Sequence, residues 1–234
     1  MSSGEAMEEN RYDRNTINSP NPLARYSHRK RISVAIDLAR QFAGQGATVI
    51  DFGAGPGLFL HRLGQSRPDL QLMGYDLFVE PGYPNLAYVK SFGEVASGAI
   101  DVMTAFEVCE HLYDHEVAEM TAEAQRVLKP GGTLIVSVPI MYGLAIVPKV
   151  MNYIRHNRSF KIDYSIADTV KSMFGVPISR PESPRATHRG FDFRALRREL
   201  EKSFTIEQSF VSPLRGLPWW CNSQVFLICS QKAA

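Results

Sequence analysis

Short apolar runs alternate along this chain with glycine-bearing turns and with stretches of helical period, an alternation that predicts an α/β fold. Val49-Ile50-Asp51-Phe52 reads as a buried strand that runs into Gly53-Ala54-Gly55-Pro56-Gly57. Leu58 to Gln65 follows as a helix, and Pro56 suits a first helical turn because its missing N–H is not needed there. Leu70 to Tyr75 reads as the next strand and ends at Asp76. Further on come an apolar strand at Ile100 to Phe106, a helix at Asp114 to Leu128, a sharp turn at Lys129-Pro130-Gly131-Gly132 and a β-branched strand at Thr133 to Val138. Near the end, Phe193 to Lys202 reads as a helix, and Phe204 to Val211 and Gln224 to Cys229 as strands. Strand, helix, strand in succession implies parallel pairing through helical crossovers.

Two segments stand outside this alternation. Arg29 to Phe42 carries Ile32, Val34, Ile36, Leu38 and Ala39 at near-helical spacing and predicts an N-terminal helix that acts as a lid. Ile140 to His188 is a long insertion in which Tyr142, Met151, Tyr153, Phe160 and Tyr164 alternate with Lys149, Arg155, Arg158 and Lys161. It reads both as a helical cap and as a substrate-recognition element. Residues 1–20 are polar and read as a disordered tail, which leaves 21–234 as one domain.

The glycine turn carries the first chemistry. Glycines at alternate positions let the backbone bend tightly and approach a ligand closely. A dinucleotide fingerprint would need glycine at position 58, which is Leu58, and would not ask for an acid two residues before the first glycine, where this chain has Asp51. Asp76 stands 19 residues after Gly57, at the tip of the second strand, where an acid can accept from both hydroxyls of a ribose.

This acid-Gly-x-Gly-x-Gly form, with Asp76 and the Leu128-Lys-Pro-Gly-Gly-Thr133 turn, resembles the class I S-adenosylmethionine (SAM) methyltransferases over about Ala47 to Pro139. The resemblance implies a Rossmann-like, seven-stranded, mostly parallel sheet with helices on both faces and a final antiparallel hairpin. It also implies SAM as cofactor, held by Asp51, Gly53, Ala54, Gly55, Gly57, Asp76, Leu77 and Phe106.

Candidate catalytic residues follow the fourth strand in Glu107-Val108-Cys109-Glu110-His111, a position that borders the ligand edge of an open parallel sheet. If the segment turns helically, Glu107, Glu110 and His111 share one face. The E-V-x-E-H pattern is similar to that of ubiquinone-biosynthesis O-methyltransferases, and a neutral His111 suits removal of a hydroxyl proton. The alternative is that these groups cap and orient the loop. A third option is a divalent metal held by Glu107, Glu110, His111 and the distant His188. That set, with Phe191-Asp192-Phe193 after it, resembles the metal site of small-RNA 3′-terminal 2′-O-methyltransferases. Asp192 can equally serve as a helix cap.

Composition narrows the partners. The net charge of +2 does not point to nucleic acid by itself, although Arg25, His28, Arg29, Lys30 and Arg31 form one basic cluster and Arg185, Arg189, Arg194, Arg197 and Arg198 another. Either can meet phosphate groups or form a solvated helix face. Three cysteines without zinc-type spacing read as buried thiols in a reducing, cytoplasmic setting, and no apolar run is long enough for a membrane span. The Asn222-Ser223-Gln224-Val225-Phe226 strand is similar to those of methyltransferases found with bacterial surface-polysaccharide enzymes. The resulting expectation is a SAM-dependent O-methyltransferase with a small or carrier-linked hydroxylated substrate, His111, Glu107 and His188 being catalytic. RNA 2′-O-methylation and a non-catalytic SAM-binding subunit are the alternatives.

Overall fold

The computed structural model describes residues 22–147, 149–151 and 164–232. The expected tail at 1–20, and Tyr153, Ile154, Arg155, His156, Arg158, Phe160 and Lys161 of the insertion, lie outside the described residues.

Seven strands are present: β1 (Thr48–Phe52), β2 (Gln71–Tyr75), β3 (Ala87–Val89), β4 (Ile100–Phe106), β5 (Leu128–Pro139), β6 (Phe204–Ser212) and β7 (Gln224–Gln231). They form one mixed sheet in the order β3-β2-β1-β4-β5-β7-β6. β1 pairs in parallel with β2 and β4, and β2 with β3, whereas β6 and β7 are antiparallel with an irregularity between Ile206 and Gln208. Val49, Ile50, Val102, Met103 and Ala105 have no exposed surface, as expected of central parallel strands covered on both faces.

Among the described residues, helices α1 (Pro22–Phe42), α2 (Leu58–Ser66), α3 (Asp114–Val127), α4 (Ile166–Met173) and α5 (Phe193–Ser203) accompany the sheet. Helix α1 is longer than the sequence pattern predicts; among its described side chains Val34, Ala35, Leu38 and Ala39 are buried. In α3 Val117, Met120, Thr121, Ala124 and Val127 are buried at helical spacing, and Asp114 and Glu116 lie in the first turn, where negative charge opposes the helix dipole. Ser165 and Asp168 form a reciprocal capping box at α4, and Asp192 caps α5 by accepting from the Arg194 N–H at 2.9 Å.

The chain forms two compact units, Met1–Phe106 with Glu123–Ile135, and Glu107–Ala122 with Val136–Ala234. In the first, Arg126 donates to the carbonyls of Val95 and Phe92 while pairing with Glu123, and so holds the loop after β3 to α3. In the second, Phe204, Phe226, Leu227, Ile228 and Leu200 build a core between α5 and the β6–β7 hairpin. Among the described residues no helix is long and apolar enough to cross a membrane.

Three local expectations are corrected. Helix α2 starts at Leu58 with Gly57 as its cap, so Pro56 precedes the helix instead of opening it. The Lys129-Pro130-Gly131-Gly132 segment belongs to β5, its bend taken up at Gly131 with φ 80°. Glu107 to His111 is not one helical turn: Glu107 has φ 57°, and only Cys109–His111 coil, as a 3₁₀ turn.

Candidate functional site

The glycine turn is built from β1 and β2 together. The N–H groups of Gly53 and Ala54 both donate to the Tyr75 carbonyl, at 2.8 and 3.0 Å, so the turn is fastened to the last residue of β2. Gly53, Gly55 and Gly57 have φ of 73°, 53° and 91°, values that side chains disfavour. At Gly57 a Cβ would also lie 2.4 Å from Leu86 Cδ1, so that side chain would have to move as well. Asp76 holds the turn from the other strand. Its Oδ2 accepts from the Gly55 N–H at 2.9 Å, and its Oδ1 from the N–H groups of Phe78 and Val79 at 2.9 and 3.0 Å. Leu77 is exposed beside it, and Phe106 meets Phe59 edge to face, with ring centroids 4.9 Å apart.

Asp51 lies beneath this turn, 4% exposed. Burial pushes its carboxyl up to about 7, the Thr104 hydrogen bond works against that, and the Asp76 charge adds to it. The Thr104 hydroxyl donates to Asp51 Oδ1 at 2.6 Å and is itself fully buried. Thr104 escaped the sequence reading, since nothing in a β-branched strand residue marks it as a carboxylate partner.

The second group forms within the other unit. Glu110 and His111 sit in the 3₁₀ turn, and His188 comes from the loop after a second 3₁₀ turn at Pro184–Ala186. His188 Nε2 stands 3.1 Å from His111 Nε2 and 4.0 Å from Glu110 Oε1, and one ligand atom from each of the three lies within 4.8 Å of the others. Glu110 is fully buried, and the His188 side chain is 38% exposed. Burial lowers the His111 pKa from its usual value, although the carbonyls of Arg185 and Pro184 and the Glu107 charge oppose the shift. His111 is therefore neutral at pH 7, with a lone pair to offer.

Glu107 does not join this group. Its Oε1 accepts from Gln224 Nε2 at 2.6 Å and from Ser137 Oγ at 3.4 Å, which fixes the left-handed backbone and turns the carboxylate toward β7. Arg180, also missed from sequence, donates through Nη2 to the Glu110 carbonyl at 2.6 Å, faces Asp114 at 3.6 Å and lies over the Phe191 ring at 5.5 Å. It ties the loop that leads to His188 onto the turn that carries His111.

The basic clusters separate. Arg185, Arg189, Arg194 and Arg197, four of the five arginines of the C-terminal cluster, pair with Glu116, Asp168, Asp192 and Glu201 of the same unit. On α1, Arg25, Arg29 and Lys30 line a cavity of about 420 Å³ with Pro22 and Tyr26.

Comparison with known proteins fits this geometry. A family model described as a methyltransferase domain matches residues 26–176. The malonyl-[acyl-carrier protein] O-methyltransferase of Hahella chejuensis is 33% identical over 113 residues, 44% of this chain and 39% of that protein, so the match spans well under half of the relative's length. Two solved structures share the fold at low identity. A TehB-like SAM-dependent methyltransferase from Corynebacterium glutamicum has TM-score 0.57 at 15% identity, with 98% of this chain and 99% of that one covered. The geranyl diphosphate C-methyltransferase of Streptomyces coelicolor, solved with Mg²⁺, geranyl diphosphate and S-adenosylhomocysteine, has TM-score 0.55 at 12% identity, with 94% and 90% covered. The glycine turn with its two acids, the seven-stranded order and the matched family model agree: the chain belongs to the methyltransferase-domain family and has the fold of the SAM-dependent methyltransferases it resembles.

Proposed function

We propose that this enzyme methylates a hydroxyl oxygen of a small or carrier-linked substrate, with SAM held by the glycine turn, Asp51 and Asp76, and with His111 taking the hydroxyl proton. The observation that carries the reading is the convergence of Glu110, His111 and His188. A hydroxyl is a poor nucleophile until its proton leaves, and a half-buried imidazole held neutral beside a carboxylate supplies the acceptor. The relative that acts on an acyl-carrier protein supports the carrier-linked option. The test is transfer of labelled methyl from SAM to a panel of hydroxylated acceptors, free and carrier-linked, with the product bond identified by mass spectrometry. Methyl ethers or esters are expected; methylation only of nitrogen or carbon acceptors sinks the reading.

The cluster also favours a divalent ion. The contacts that His188 makes to His111 and to Glu110 share one nitrogen, Nε2, so one ion could stand between the three groups. Separations of 3.1 and 4.0 Å lie within twice a metal–ligand bond of roughly 2.0–2.2 Å, and a mixed nitrogen and oxygen set suits a transition metal. Glu110, His111 and His188 would hold such an ion. Bound there, it would lower the pKa of a substrate hydroxyl. Glu107, tied to Gln224, stays outside the set.

Asp51 gives a pH prediction for the cofactor. Its folded pKa, about 7, lies above the ordinary aspartate value of 3.8. Between those values the folded protein keeps a proton that the unfolded chain has lost, so this group's contribution to stability is full below about 3.8 and falls as pH rises through about 7. The positive charge of SAM favours the ionised carboxylate. SAM is therefore expected to bind more tightly as pH rises from 6 to 8 and to release protons on binding near pH 7. Calorimetry in two buffers of different ionisation heat checks this, and identical heats would remove Asp51 from the cofactor's field. Thr104→Val takes away the hydrogen bond that lowers the pKa and should move the midpoint upward.

A further inference from the structure

We infer that Tyr88, on the edge strand β3, is a positioning residue of the cofactor site that sets the conformation of the glycine turn. The inference rests on the reading of residues 53–57 as the SAM-binding turn. The Tyr88 hydroxyl donates to the Gly55 carbonyl at 2.9 Å, while the Gly55 N–H donates to Asp76 Oδ2, also at 2.9 Å. The central residue of the turn is thus held on its carbonyl side by a phenol and on its amide side by a carboxylate. The two peptide groups that flank a glycine rotate easily about its Cα; here each is held by one hydrogen bond.

The surrounding glycines show that the fold makes room for this ring. Gly74 lies opposite Tyr88 in the β2–β3 register, and a Cβ there would meet Tyr88 ring atoms at 2.7 Å. Gly74 does not adopt a positive φ, so its backbone conformation does not call for glycine; the ring does. At Gly57 a Cβ would come 2.8 Å from the Tyr88 oxygen. The ring therefore crosses β2 through a gap left by one glycine and reaches the turn beside another. Burial, with the charges of Asp51 and Asp76, holds the phenol protonated far above neutral pH, so it acts there as a constant donor. With both peptides around Gly55 fixed, Asp76 would face the ribose from a preset position, and binding would spend less free energy on ordering the turn.

Tyr88→Phe keeps the ring and removes only the hydroxyl. It is expected to raise the S-adenosylhomocysteine Kd and the KM for SAM by about five- to tenfold, with kcat and the acceptor KM within about twofold of the parent and Tm nearly unchanged. Gly74→Ala pushes the ring aside and should weaken cofactor binding by a similar factor. The double variant should then be no weaker than the worse single, because both act through one contact. Asp76→Ala serves as the control. If it weakens cofactor binding while Tyr88→Phe leaves Kd unchanged, the role of Tyr88 is overturned. If neither alters Kd, the reading of the turn falls and the inference with it. A Tyr88→Phe protein that loses Tm, kcat and both KM values together would make the hydroxyl a general fold contact and would also overturn the inference.

Discussion

Substituting His111 by Ala is expected to lower turnover by roughly 10²- to 10⁴-fold while S-adenosylhomocysteine binding stays within about twofold of the parent, the range seen when a positioned proton acceptor is removed. The two halves of that expectation have separate physical sources. In the proposed reading the proton acceptor lies in the Glu110–His111–His188 group, whereas Asp51, Asp76 and the turn hold the cofactor. Because burial lowers the His111 pKa, activity should climb with pH on an acid limb whose midpoint lies below the usual histidine value and level off above it. Chelation decides how the group works. If His111 acts without an ion, chelators leave the rate unchanged and His188→Ala costs less than His111→Ala. If the three residues hold an ion, chelation stops turnover, added metal restores it, and His188→Ala is as damaging as His111→Ala, since ligands act as a unit. His188 is the cleaner partner to remove because it is partly exposed, whereas Glu110 is buried and its loss threatens the fold. Full activity in His111→Ala would leave positioning alone as the source of rate.

The parts of this molecule legible in its sequence are those whose causes are local. The β1-turn-α2 unit follows from an apolar run, glycines that adopt positive φ, and a helix with Leu58, Phe59, Leu60 and Leu63 buried; all three signals fall within 20 residues. The parallel core was readable for the same reason, since β4 is apolar enough to be buried on both faces. Strand β3 was not placed, because three residues at a sheet edge carry too little pattern. The misread turn at 107–111 has a different cause. A spacing of three and four residues fits a helix and a 3₁₀ turn alike, and the partner that holds Glu107 in its left-handed conformation is Gln224, 117 residues away. Arg180 and Tyr88 share that property: each acts through a contact whose other end is distant in the chain, Glu110 at 70 residues and Gly55 at 33. His188 was found only because a resemblance supplied the pairing that spacing alone does not.

Replacing Asp76 by Ala should have the largest effect on cofactor binding, because this carboxylate does two things at once. In the proposed site it accepts from the ribose hydroxyls, and it already accepts from three backbone N–H groups, of Gly55, Phe78 and Val79. Loss of a hydrogen bond to a charged acceptor costs about 1.5–3 kcal/mol, so the ribose contact alone implies roughly a ten- to hundredfold weaker Kd. Releasing the Gly55 N–H and the two donors beyond β2 also frees the turn and the following loop, which must then be ordered on binding, and moves the total toward the upper end of that range or past it. Asp76→Asn retains one acceptor oxygen but places an amide N–H where a second acceptor stood, so it should fall between the parent and Asp76→Ala. The thermal shift produced by S-adenosylhomocysteine should shrink in the same order, because ligand stabilisation follows the ratio of ligand concentration to Kd. NAD should give no shift in any of the three proteins. A folded Asp76→Ala protein that binds S-adenosylhomocysteine as tightly as the parent would show that the ribose lies elsewhere, and the cofactor site would have to be rebuilt without the tip of β2.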